Sequence, residues 1–182
     1  MERLIFREEQ SMRQSFIPWL VIPVWLFTVV YFGYGFYNQL YLGKPFGDQP
    51  TGNNELLLTG ILAIVFTGVL FLLLLNIVLV TEIWTDGVRY KFTPFMRNPK
   101  HIPLTDIESA QVTKYRPLLE FGGWGIRRRF LQRKTAYNIS GNIGLRIIRK
   151  NGSQVMLGTQ KKDELQRAVD KMKIPPAERY TI

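Results

Sequence analysis

Two long stretches of the chain carry no charge, and the rest of the pattern is organised around them. The first runs from Gln14 to Gly43, with its apolar body over 16–37. The second runs from Leu56 to Thr81. A hydrocarbon core of about 30 Å takes roughly 20 helical residues, so both are long enough to cross it. The pattern predicts transmembrane helices over 16–37 and 55–81, joined by a loop over 38–54 that contains Gly, Pro and Asn. The first stretch is a poor cleavable signal. Its apolar run is too long, its flank mixes Glu2, Glu8 and Glu9 with Arg3, Arg7 and Arg13, and no Ala-x-Ala-like site follows.

Beyond Thr81 the pattern changes to short alternating runs, which predict strands. Val80–Trp84 and Val88–Phe92 flank Thr85-Asp86-Gly87, a hairpin signal. Thr93–Pro103, with three prolines, reads as a loop. Ile107–Tyr115 and Ala136–Ile139 read as strands. Leu145–Arg149 and Gln154–Leu157 make a second hairpin around Lys150-Asn151-Gly152-Ser153. In Asp163–Met172, Leu165, Ala168, Val169 and Met172 fall on one helical face, and Ile174-Pro175-Pro176 ends that helix. The expected class is α+β: antiparallel strands closed by one C-terminal helix, attached to a membrane α-helical hairpin.

Charge orients the hairpin. Of the 24 Lys and Arg residues, three precede the first stretch, one (Lys44) lies in the loop and 20 follow the second stretch. The positive-inside rule then puts both termini in the cytoplasm and the loop outside. This gives five segments: a cytoplasmic segment 1–15, helices 16–37 and 55–81, the extracytoplasmic loop 38–54, and a basic cytoplasmic domain 82–182.

Within the spans, Thr59, Ala63 and Thr67 recur at helical spacing with Gly60 and Gly68 beside them. Such a small-residue stripe lets two backbones approach, either against the first helix near Gly33 and Gly35 or against another membrane protein. Tyr31, Tyr34, Tyr37 and Tyr41 share a face that reads as an interfacial aromatic belt or as a docking face. Asn76 is expected to make an interhelical hydrogen bond.

Phe121-Gly122-Gly123-Trp124-Gly125-Ile126-Arg127, Ala136-Tyr137-Asn138-Ile139, Gly144-Leu145-Arg146-Ile147, Leu157-Gly158-Thr159-Gln160 and Asp163-Glu164-Leu165 carry a resemblance. From Thr81 to Met172, with the two helices, the chain resembles uncharacterised bacterial two-helix membrane proteins with a bacterial pleckstrin-homology-like (PH-like) domain. That resemblance implies a bent antiparallel sheet capped by a C-terminal helix and used as an interaction module. It transfers no residue with a role.

The densest basic run is Arg127, Arg128, Arg129, Arg133 and Lys134. It reads as a solvated edge, as a contact with anionic lipid headgroups, each nearby cation contributing roughly 1 kcal/mol, or as a contact with an acidic protein. Trp124 is a candidate core or interface anchor. The glycines at 122, 123 and 125 lack the Lys-Ser/Thr ending and strand-to-helix context of a phosphate loop. The aromatic interleaving of a nucleic-acid face is missing as well, so no nucleic-acid partner is expected. His101 reads as an exposed loop residue and Asp106 as the acceptor of a turn hydrogen bond.

The chain has no cysteine, a single histidine and a formal net charge of +10. These counts exclude thiol chemistry and Cys-based metal sites. No cofactor, metal or catalytic group is expected. The leading expectation is a non-enzymatic bacterial inner-membrane protein for interaction or assembly, an accessory subunit or scaffold whose partners are lipids and a membrane protein or a second copy. The alternative is a peripheral module that senses anionic lipid through the run 127–134.

Overall fold

The computed structural model describes residues 2–172 of the 182. They form two compact units: residues 15–76, and the chain up to Gln14 together with the chain from Ile77 on.

The first unit is a helical hairpin. Helix α1, Ile17–Phe36, carries Pro18 in its first turn, where the missing N–H costs nothing. It continues through a wider π-type turn, Tyr37–Tyr41. Helix α2, Asn53–Leu75, starts after Gly52, whose N–H reaches the Glu55 carboxylate at 3.4 Å. Both are long and apolar enough to cross a membrane. The second helix ends at Leu75 rather than continuing to 81, because Val78–Thr81 belongs to a strand. Asn76 closes the helix by donating its side-chain amide to the Leu72 carbonyl at 2.8 Å. That bond is within the helix, not between helices.

Gly60 and Gly68 face α1, but not its glycines. A Cβ at Gly60 would run into the rings of Phe32 and Phe36, and one at Gly68 would meet the Trp25 indole nitrogen at 3.1 Å. The hydroxyls of Thr59 and Thr67 turn back onto carbonyls of their own helix, at 2.7 Å each, and so add no interhelical bond. Gly33 faces open space, whereas Gly35 lies under the ring of Phe46 from the connecting loop. The stripe therefore accepts aromatic rings instead of a second backbone.

The second unit is built from two sheets. The first sheet has the order β1 (Leu4–Ser11), β2 (Val78–Trp84), β3 (Gly87–Thr93), β4 (Lys100–Pro103), all antiparallel. The second has the order β5 (Ile107–Lys114), β8 (Ile143–Arg149), β9 (Gln154–Gly158), β7 (Lys134–Asn138), β6 (Gly125–Arg129). Its β7–β9 pair is parallel, with Thr135 opposite Val155. A single bent antiparallel sheet is thus replaced by two sheets, one of them mixed. Helix α3, Lys162–Lys171, lays Leu165, Ala168 and Val169 against β5, β1 and β8. The Ile174-Pro175-Pro176 stop lies outside the described residues.

The β2–β3 turn is Thr85-Asp86, and Gly87 opens β3 opposite Trp84. Gly87 has φ of 153°, and a Cβ there would strike the Ile102 carbonyl of β4. Only glycine lets β4 close on β3 here. Tyr137 of the second sheet meets Tyr90 and Phe92 of the first, at ring centroid separations of 5.0 and 6.2 Å. The core lies in that seam, with Leu79, Ile83, Leu145 and Ile147 fully buried.

The largest departure from the sequence pattern is β1. The segment 1–15 is expected as a cytoplasmic segment with no strand assigned to it, yet Leu4–Ser11 pairs with β2 from Leu4 opposite Trp84 to Ser11 opposite Val78. Phe6, Glu8 and Gln10 point inward. The domain accordingly starts at Ile77, not at 82, and includes the N-terminal strand. Lys100–Pro103, expected as loop, is the short strand β4, and Arg-rich β6 was not expected as a strand.

Candidate functional site

The basic run folds into a hairpin. Arg127 pairs with Ala136, Arg128 with Thr135 and Arg129 with Lys134. The turn between β6 and β7 is one 3₁₀ turn, Phe130–Gln132, closed by Arg133 in the left-handed conformation at φ 49°. At the tip, Phe130 is 81% and Leu131 104% exposed. Two large apolar side chains therefore stand free between Arg127–Arg129 on one side and Arg133 and Lys134 on the other. The cations are legible in the sequence and the tip is not, because Phe-Leu inside a basic run has no periodicity.

The guanidiniums divide into two groups. Arg127 Nε–H donates to the Trp124 carbonyl at 2.9 Å, and Arg129 donates to the Leu119 carbonyl at 2.9 Å. These two brace the loop before β6, a π-type turn over Pro117–Phe121. Trp124 is half-buried, and its indole N–H donates to the Gly141 carbonyl at 3.0 Å. It anchors that loop to the next one. By strand alternation, Arg128 points to the opposite face, toward the seam between the sheets.

Two adjoining cavities of about 380 and 340 Å³ lie beside Arg128, and the second reaches across the seam to Tyr90 and Lys100 of the first sheet. Both are lined by Arg128, Phe130, Arg133, Thr135 and Ser153. The first adds Arg129 and Lys134, and the second adds Lys100, Arg149 and the Tyr90–Tyr137 pair. No acidic side chain lines either one. Arg149 is held from one side by Asp106, at 3.1 Å, so the Asp106 carboxylate is an ion-pair partner and not the acceptor of a turn hydrogen bond. Burial raises the Tyr90 hydroxyl pKa well above the ordinary phenol range. Tyr137 adds to the rise, and the positive charges of Arg149 and Arg128 pull it back.

The other singled-out residues lie elsewhere. Tyr31 and Tyr34 hold the Phe46 ring, at 5.1 and 6.0 Å, and Tyr37 stacks on Tyr41 at 5.4 Å. His101 is not a free loop residue: it pairs with Arg89 across β3–β4, and its Nε2 lies 3.3 Å from Asp86. Glu8 and Gln10, which the polar pattern did not single out, are buried. Thr159 Oγ1 donates to Glu8 at 2.6 Å and the Gln160 N–H at 2.8 Å, while the Gln10 amide donates to the Gly158 carbonyl at 2.6 Å.

These features define a two-sheet α+β domain interrupted, between its first two strands, by an apolar helical hairpin. The model of a family of unknown function, DUF6141, matches residues 1–172, and the chain belongs to that family. No curated protein and no solved structure matches the chain.

Proposed function

We propose that this is a non-enzymatic protein of a bacterial inner membrane whose PH-like domain seats on an anionic lipid surface through the β6–β7 tip. The observation that carries the reading is the exposed Phe130–Leu131 pair set between Arg127–Arg129 and Arg133–Lys134. Burying a large apolar side chain in the acyl boundary contributes about 2 kcal/mol, and each cation near an anionic surface about 1 kcal/mol. The two terms together give the pairing that holds interfacial segments on membranes. The two sheets with α3 support the PH-like reading, and the parallel β7–β9 pair is a departure from it. The β1–β2 pairing supports a two-pass anchor: strands that share a ladder share a compartment, so the chain between them crosses an even number of times. The excess of Lys and Arg in the sheet domain supports a cytoplasmic location for it.

The chain's lack of cysteine gives a clean test. The full-length protein carrying Gln132→Cys is labelled with an environment-sensitive fluorophore in nanodiscs of neutral or anionic lipid. Anionic lipid shifts the emission to the blue, high salt reverses the shift, and adding Leu131→Ser abolishes it. Identical spectra in the two lipids overturn the reading and move the tip to a protein partner, as in the assembly alternative.

A further inference from the structure

Behind Phe130, Leu131 and the cations around them lies a cavity. That cavity gathers Lys100 from β4 of one sheet, and Arg128, Arg133 and Arg149 from the other. Arg128 and Lys100 make no ion pair or side-chain hydrogen bond with any described residue. Arg149 has one partner, Asp106, and its buried Nε–H has no acceptor among the described residues. Gathering several cations in one cleft raises their mutual repulsion, and nothing within the lining offsets it.

Arg133 adds a second, independent observation. It is the only non-glycine at positive φ among the described residues. A position of that shape favours glycine or asparagine, and a larger residue there carries strain of about 1 kcal/mol. From this position the Arg133 guanidinium lines the cavity, and its Nη1 donates to the Asn151 carbonyl at 3.3 Å. Thr135 and Ser153, two hydroxyl-bearing residues, also line it. Planar guanidinium forks with hydroxyls beside them match the oxygens of a phosphate.

We infer that the cleft lined by Lys100, Arg128, Arg133 and Arg149 at the open end of the two-sheet seam is a binding site for a phosphate monoester dianion. The group reaches it either as a soluble phosphate or as the headgroup of a lipid. The lipid source rests on the tip reading, because Phe130 lines the same cleft. The soluble source does not.

The test uses the full chain in nanodiscs. In one arm, neutral discs are titrated with inorganic phosphate by calorimetry. In the other, binding of the fluorophore-labelled tip is compared in discs of phosphatidic acid and of phosphatidylglycerol at equal surface charge density. The expected result is saturable phosphate binding, a preference for phosphatidic acid, or both. Saturation in the first arm alone assigns the soluble source, and preference in the second alone the lipid source. Arg128→Gln and Lys100→Gln remove side chains that hold nothing in the fold, and each weakens the interaction by roughly tenfold. The inference is overturned if neither arm responds, or if binding survives both substitutions unchanged. Leu131→Ser separates the two readings: it abolishes seating on any anionic disc while leaving inorganic phosphate binding in place.

Discussion

Glu8 is a carboxylate only 4% exposed, on a strand with four charged or amide side chains in eight residues. Its burial is tolerated because two donors from the β9–α3 junction converge on it, the Thr159 hydroxyl and the Gln160 N–H. Charge-assisted bonds of this kind are the strong ones, and removing one partner leaves the other groups unsatisfied. Glu8→Ala should therefore destabilise the sheet domain by about 3 kcal/mol, with Glu8→Gln losing less because one acceptor oxygen stays in place. Chemical unfolding followed by Trp84 and Trp124 fluorescence measures both; equal stability of wild type and Glu8→Ala would refute the clamp. The same residue explains a blind spot of pattern reading. An inward face of Phe6, Glu8 and Gln10 is half polar, and the groups that satisfy it lie about 150 positions away along the chain.

At the scale of elements, what was legible followed from local chemistry. Asp86-Gly87 and Asn151-Gly152 marked the two hairpins, and Leu165, Ala168 and Val169 marked the face of α3. Three strands escaped for distinct reasons. Strand β1 has a polar interior face. Strand β4 is four residues long and ends on Pro103. Strand β6 is an edge strand of glycine, isoleucine and three arginines, so no apolar alternation survives. The far end of α2 was misplaced because Ile77–Val80 is as apolar as the helix before it, and only the β-branched character of Val78 and Val80 hints at the change to strand. Small residues in α2 were legible as a contact stripe, but not what fills it. Since Gly60 receives Phe32 and Phe36, Gly60→Leu should overpack the hairpin and cost about 1–3 kcal/mol. Gly33→Leu, facing open space, should cost far less. Thermal melts of both variants in one detergent test this, and equal losses would show that the aromatic seat does not hold the helices.

At the scale of the molecule, the hairpin is an insertion into the sheet domain. The chain leaves the domain beyond the β1–β2 ladder, where the Met12 N–H meets the Ile77 carbonyl at 2.9 Å, and returns at that same point. Labelling with a membrane-impermeant maleimide reads out the resulting topology. Asp48→Cys should react in intact cells, whereas Glu2→Cys and Lys162→Cys should react only after the membrane is opened. Glu2→Cys and Lys162→Cys reacting from opposite sides would be incompatible with the ladder. Hydropathy and the distribution of Lys and Arg were enough to expect both ends on one side. They were silent on the covalent loop that makes any other arrangement incompatible with the fold.

The ladder also imposes an order in time. Ser11 leaves the ribosome 67 residues ahead of Val78, its partner, an interval of several seconds at ordinary rates of synthesis. Until then β1 has no strand to pair with, and Glu8 and Gln10 wait longer still, for partners about 150 positions further on. If the helices enter the bilayer only once, the two halves of the ladder are stranded on opposite sides and the domain never closes. On the two-pass reading proposed above, the sheet can be completed only after both helices have inserted, and a wrongly inserted copy would present quality-control proteases with an unfolded domain.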